Sequence, residues 1–222
     1  MKITEKIHRV DKITGANSYL VESGKELVLV DAGMPGNGDK IIHFIEEIGK
    51  KPEDLKYIIL THPDIDHSGS VADLKAKTGA KVAIHRDDAD VLAGRRSSRK
   101  FKGFLGLVFR FFSKFMKFRP VEPDILLEDS GLIGGFEIIH TPGHTPGSIS
   151  LFDRKKGIIF SGDALICDKR GKIRLPVRAL ATNFEQAISS SRKIRALNFK
   201  ILLPGHGKPW MKHGRAFAAP RN

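Results

Sequence analysis

The run Tyr57-Ile58-Ile59-Leu60-Thr61-His62-Pro63-Asp64-Ile65-Asp66-His67 decides how the chain is read. Its first four residues are uninterrupted and apolar, as in a buried strand, and such a strand delivers its polar continuation to a sheet edge. Here that continuation carries two imidazoles and two carboxylates within residues 62 to 67. Imidazole and carboxylate are ligands that zinc, iron and manganese share, and an ion needs three or more of them converging from a rigid base. The competing reading is a polar loop that caps the next helix, with Asp66 or Ser68 as N-cap. The rest of the chain decides between the two.

The same pattern recurs on either side. Upstream, Asn17 to Ser23 and Glu26 to Asp31 read as a hairpin turned at Gly24-Lys25, and Asp31 ends its second strand. If that strand runs parallel to the one before His62, Asp31 reaches the same edge, either as a turn residue or as an acceptor that orients a ligand. Downstream, strand 136–140 leads into Pro142-Gly143-His144-Thr145-Pro146-Gly147, strand 157–161 ends at Gly162-Asp163, and strand 200–203 ends at Pro204-Gly205-His206-Gly207. His62, Asp64, Asp66, His67, His144, Asp163 and His206 therefore all lie just past short apolar strands, an inventory that suits two metal ions. His8, His43, His140 and His213 lack this context, and His85 ends a strand near the presumed site. Amphipathic helices are expected at 39–48, from about 68 to 77, and at 183–197 with Asn183 as N-cap.

The 222 residues, with 41% hydrophobic and 28% charged side chains, suit one soluble globular domain. The N-terminal residues carry no secretory pattern, so a cytoplasmic protein is expected. One cysteine, Cys167, excludes an internal disulfide framework. The net charge of +13 is concentrated in residues 95 to 119, which hold nine Lys and Arg and no acid. Within that stretch Phe101, Phe104, Leu105, Val108, Phe111, Phe112, Phe115 and Phe118 recur at helical spacing. Residues 95–123 are therefore expected to be a basic, Phe-rich helical insertion. Phe104, Val108, Phe111, Phe112 and Phe115 would face a substrate as a lid, or the segment 101–119 would lie in a membrane interface or a homo-oligomer contact. Its charges preclude a bilayer span.

Val30-Asp31-Ala32-Gly33, the Thr61 to His67 loop, the Pro142 to Gly147 turn, Ser161-Gly162-Asp163 and Pro204-Gly205-His206-Gly207 together resemble, in order, the five motifs of the metallo-β-lactamase superfamily. The resemblance implies an α/β fold, a four-layer αβ/βα sandwich of two mixed sheets flanked by helices. It further implies a dinuclear centre with His62, position 64 and His144 on one ion, Asp66, His67 and His206 on the other, and Asp163 bridging. The implied activity is hydrolysis by a water activated between two divalent ions and oriented by Asp66, with zinc expected as the metal. The family's usual loop is His-x-His-x-Asp-His, so Asp64 is a departure: a harder, anionic donor that shifts preference toward iron or manganese.

An ester, thioester or lactone with an apolar arm is the expected substrate, in keeping with a similarity to glyoxalase II and to lactonases. Two other readings are open at this point. One is a di-iron redox protein resembling the flavodiiron core, which carries a carboxylate at position 64. The other is a phosphodiesterase of the same fold acting on nucleic acid, suggested by the net charge.

Overall fold

The computed structural model describes residues 1–97 and 119–211. The expectations placed on the segment 101–119, including the lid residues Phe104, Val108, Phe111, Phe112 and Phe115, fall almost wholly outside the described residues.

Among the described residues, two six-stranded sheets form the framework. In the first, β1 (Ile7–Arg9), β2 (Tyr19–Ser23) and β3 (Glu26–Val30) are antiparallel neighbours. Parallel pairing then continues from β3 through β4 (Leu55–Ile59) and β5 (Lys81–His85) to β6 (Ile125–Leu127). The second sheet runs in the order β14 (Trp210–Met211), β13 (Ile201–Pro204), β10 (Ile158–Gly162), β9 (Ile149–Asp153), β8 (Phe136–His140) and β7 (Leu132–Ile133). Among its described strands only β10 and β13 are parallel. A small ribbon of β11 (Ile166–Cys167) and β12 (Ile173–Arg174) stands apart.

Strand periodicity explains the layering. Val28 and Val30 on β3, Ile59 at the end of β4 and Ala83 on β5 point toward Ile138, Leu151, Phe160 and Leu203 of the second sheet, forming the core between the sheets. Their neighbours Leu27, Leu29, Ile58, Val82 and Ile84 point the other way, onto α1 (Gly38–Glu47), α3 (Val71–Thr78) and α4 (Arg86–Leu92). On the second sheet Ile139, Phe152, Ile159 and Leu202 face outward to Ile194 of α5 (Phe184–Arg195) and to Phe199. Three apolar cores between four layers give the αβ/βα sandwich, and strands apolar on both faces read as unbroken runs in sequence. Among the described residues, no helix is long and apolar enough to cross a membrane.

Three expectations need correcting. The helix expected from about Ser68 to Lys77 begins later, as α3 at Val71, and a separate short turn, α2 (Ile65–Ser68), precedes it; Gly69 between them packs on Pro35, where a Cβ would stand 2.3 Å from the ring. The N-cap position of α2 belongs to Asp64, not to Asp66 or Ser68, so Asp66 and His67 project from a helical turn. Strand 200–203, expected from the sequence to be the last, is followed by another: Trp210–Met211 pairs antiparallel with β13 as an edge, too short to carry a pattern.

Candidate metal centre

The parallel register of β3 with β4 aligns Val30 with Ile59, so Asp31 and Thr61 leave the first sheet side by side. Asp31 takes up a left-handed conformation at φ 57° and turns its carboxylate back into the edge. Its Oδ1 accepts the Thr61 N–H at 2.9 Å, and its Oδ2 accepts from Thr61 Oγ1 and from His67 Nδ1, each at 2.8 Å. A carboxylate that accepts from Nδ1–H fixes the tautomer of the neutral ring and leaves Nε2 directed toward the site.

The other donors arrive from the second sheet. Gly162 brings β10 against Thr61, where a Cβ would meet the threonine at 2.8 Å, and Asp163 comes directly after it. Gly205 lets the chain after β13 pass Asp163 Oδ1, which a Cβ would approach to 2.6 Å. Gly207, at φ 89°, has no room for a side chain beside the Cys167 carbonyl, and Cys167 N–H donates to the His206 carbonyl at 3.0 Å. Asn17 and Tyr19 support the same loop: the Asn17 side-chain amide donates to the Pro204 and Gly207 carbonyls, and the Tyr19 hydroxyl donates to Pro204.

All seven residues singled out in the sequence converge. His144 Nε2 lies 3.1 Å from Asp64 Oδ2, and His62 Nε2 lies 3.6 Å from the same oxygen. Asp64, the departure from the family's loop, thus turns into the cluster. His206 Nε2 stands 3.2 Å from Asp66 Oδ2 and 3.3 Å from His67 Nε2. Asp163 sits between the two halves, with Oδ1 3.5 Å from His67 Nε2 and Oδ2 3.6 Å from both His144 Nε2 and His206 Nε2. Two ligand sets result, His62 with His144 and Asp163, and Asp66 with His67 and His206.

The donor set fits metal ions on its own chemistry. His62 Nε2 and Asp163 Oδ1 are buried without a hydrogen-bond partner, a costly arrangement unless something else satisfies them. Charge balance is equally strained. Burial, with His67 and His144 adding to it, holds the His62 imidazole well below its ordinary pKa. For His67 burial acts the same way, but Asp31 and Asp163 outweigh it and push the ring up to about 9. Burial raises the Asp163 carboxyl and the surrounding histidines overcome that, leaving it lowered; Asp66 is lowered in the same way by His206 and His67.

A third group, His85 with Asp87 and His140, also brings potential ligand atoms together. Its geometry is unsuited to an ion: the two imidazoles stack 4.1 Å apart and 8° from parallel, and an ion can lie in only one of two parallel ring planes. His85 Nδ1 instead accepts the Asp87 N–H as the cap of α4, and His140 Nε2 donates to the Pro146 carbonyl. His43 is exposed and pairs with Glu47. Sequence reasoning missed Asn17, Tyr19, Asp88 and Thr182 around the site, and gave Thr61 no role beyond its place in the loop. Nothing in the spacing of these residues sets them apart.

A family model described as the metallo-beta-lactamase superfamily matches residues 12–206. The chain is 36% identical over 203 residues to the uncharacterized protein YobT of Bacillus subtilis, covering 86% of this chain and 83% of that one. It is 30% identical over 192 residues to the hydroxyacylglutathione hydrolase GloC of Haemophilus influenzae, covering 86% and 84%. Among solved structures it resembles TTHA1623 in a di-iron-bound form, with a TM-score of 0.71 and 25% identity over 92% of this chain and 93% of that one. With the ordered motifs, the layered sheets and the converging histidines and carboxylates already in place, these matches lead to one conclusion: the chain belongs to the metallo-beta-lactamase superfamily.

Proposed function

We propose that this metallo-hydrolase cleaves an ester, thioester or lactone bearing an apolar arm, with two divalent ions held by His62, Asp64 and His144 and by Asp66, His67 and His206, and with Asp163 shared between them. The observation that carries this reading is the position of Asp163, one oxygen facing His67 and the other facing both His144 and His206. Ions bound there supply Lewis acidity, lowering the pKa of water and polarising a carbonyl oxygen. The chain's own part is positional. Asp31 and Thr61 lock the His67 ring. Asp66, a third exposed at its side chain, is the carboxylate best placed to orient a water. Glycines at 162, 205 and 207 let the loops close around the donors without a side chain intervening.

The apolar arm is suggested by the segment that borders the cluster. It is anchored at one end by Cys167 N–H on the His206 carbonyl and at the other by Thr182 N–H on the His144 carbonyl, so it runs from one ligand set to the other. Between these anchors Leu175, Val177 and Leu180 are exposed, an apolar surface that suits an acyl chain. GloC, by its name a hydrolase of an acyl derivative of glutathione, favours the thioester among the three.

Asp64 supports a second reading, a di-iron centre with redox activity, since a carboxylate among imidazoles suits iron. One set of measurements separates the two. Chelator-treated protein is assayed on esters, thioesters and lactones of increasing chain length, then again after addition of zinc, manganese or ferrous iron, with reductant-dependent oxygen consumption in parallel. The hydrolase reading expects hydrolysis that disappears on chelation and returns with metal. Hydrolysis that survives both chelation and His67→Ala refutes it, and oxygen consumption without hydrolysis selects the redox reading.

A further inference from the structure

The backbone is held by hydrogen bonds on both sides of His144. On one side the His144 carbonyl accepts from Thr182 N–H at 3.1 Å and from Thr182 Oγ1 at 2.6 Å. On the other side the chain enters Thr145, whose N–H donates to Ser148 Oγ at 2.9 Å. Ser148 Oγ in turn lies 2.7 Å from Thr145 Oγ1, and Thr145 Oγ1 donates to Asp88 Oδ2. The three side chains form one directed relay that ends on a carboxylate, the strongest acceptor available.

Asp88 comes from a different element. It lies on α4, packed on the outer face of the first sheet's parallel half, and reaches the turn at the end of β8 in the second sheet. Its residue is fully buried at 0% exposure, and Oδ1 has no hydrogen-bond partner. Gly147 is pressed against it so closely that a Cβ there would lie 2.8 Å from Asp88 Cγ. A buried carboxylate with one oxygen unsatisfied is a poor device for stability alone, since a well-packed apolar residue at such a site is often neutral or better. Burial raises its pKa, and Thr145, the Gly147 backbone N–H and Arg96 oppose that rise. The arrangement does, however, provide a fixed point for the backbone next to His144.

We propose that Asp88 is a positioning residue for His144: through Thr145 and Ser148 it clamps the 144–148 turn from the α4 side, opposite Thr182, and so sets where His144 Nε2 meets Asp64 and Asp163. The proposal rests on the reading of His144 as a metal ligand, not on the identity of the substrate. Asp88 is therefore tied to one ion of the pair. The Asp66, His67 and His206 set is held by Asp31 and by the Asn17 and Tyr19 bonds.

The test is a stepwise titration of metal-free protein with cobalt(II), monitored by visible absorption and by competition with a chromophoric chelator. His144→Ala identifies which binding step depends on His144. Asp88→Asn and Thr145→Val are then expected to weaken that step at least about tenfold, to alter its cobalt absorption band, and to leave the other step within about twofold. If Asp88→Asn fails to fold, Thr145→Val, which is close in size and deletes the hydroxyl that joins Asp88 to Ser148, carries the test. Folded variants whose two steps are both unchanged, or both weakened equally, overturn the positioning role. A wild-type chain that takes up no cobalt overturns the metal reading beneath it, an outcome distinct from binding that the variants leave untouched.

Discussion

Replacing Asp31 with Asn isolates what one buried oxygen does for the centre. Asn tolerates the left-handed backbone that Asp31 adopts at φ 57°, so no strain is added, and the side chains match in size. The amide must nonetheless place an NH₂ where one acceptor stood. If it faces Thr61, two donors oppose each other and a buried N–H is orphaned at a cost of about 1–3 kcal/mol. If it faces His67, the imidazole must offer Nδ1 as acceptor and carry its proton on Nε2, the nitrogen 3.5 Å from Asp163 and 3.3 Å from His206. A protonated Nε2 cannot ligate. Either way the His67 set weakens, by roughly 10- to 100-fold in affinity or about 1.4–2.7 kcal/mol. Metal-free Asp31→Asn protein titrated with zinc against a chelator should show one step displaced by that amount and the step assigned to His144 in place. Two unchanged steps, or a uniform loss in both, would refute the tautomer argument.

Other outcomes rest on single features. Asp64→His substitutes a softer, neutral donor, so the ratio of zinc to manganese bound from an equimolar mixture should rise about tenfold or more; an unchanged ratio would mean that Asp64 does not ligate. Gly207→Ala puts a Cβ 1.6 Å from the Cys167 carbonyl oxygen and should cost about 3 kcal/mol, lowering Tm by roughly 6–12 °C. Gly36→Ala, also at positive φ but with open space around it, should cost only about 1 kcal/mol, so equal losses would show that crowding is not the cause. Glu22 pairs with His8 and Lys50 at 3.1 Å each, and these contacts outweigh its burial to lower its pKa from 4.5. A carboxyl with a depressed folded pKa gives stability above its unfolded value that is lost as pH falls through the folded one. Glu22→Gln should thus cost about 0.5–1 kcal/mol at pH 7, with the gap in urea stability closing below pH 4.5.

The candidate metal ligands were legible because each comes just after an apolar strand, and strand ends on one side of a sheet must share an edge. The chain order of His62, Asp64, Asp66, His67, His144, Asp163 and His206 needed no tertiary information. Asp64 was legible as a departure, but only the folded chain turns its carboxylate toward His144 rather than leaving it as a helix cap. The separate turn α2 was not visible, since four residues are too few to carry a helical period. Short edge strands such as Trp210–Met211 escaped for want of length.

The sequence by itself determined the strands, most of the helices and the candidate ligand inventory, because these rest on local periodicity and on polar residues at strand ends, while the four-layer architecture was implied by the ordered motifs and their resemblance to the superfamily. Only the tertiary structure decided what holds those ligands. The Asp31 bond to His67 spans 36 residues, the Asn17 bonds to the His206 loop span 187 and 190, and the Asp88 contact with Thr145 spans 57. Hydrogen bonds between elements so far apart leave no pattern in the chain. They come into being when the two sheets close over their shared core, and a lone buried carboxylate acquires its meaning from whichever loop it then meets.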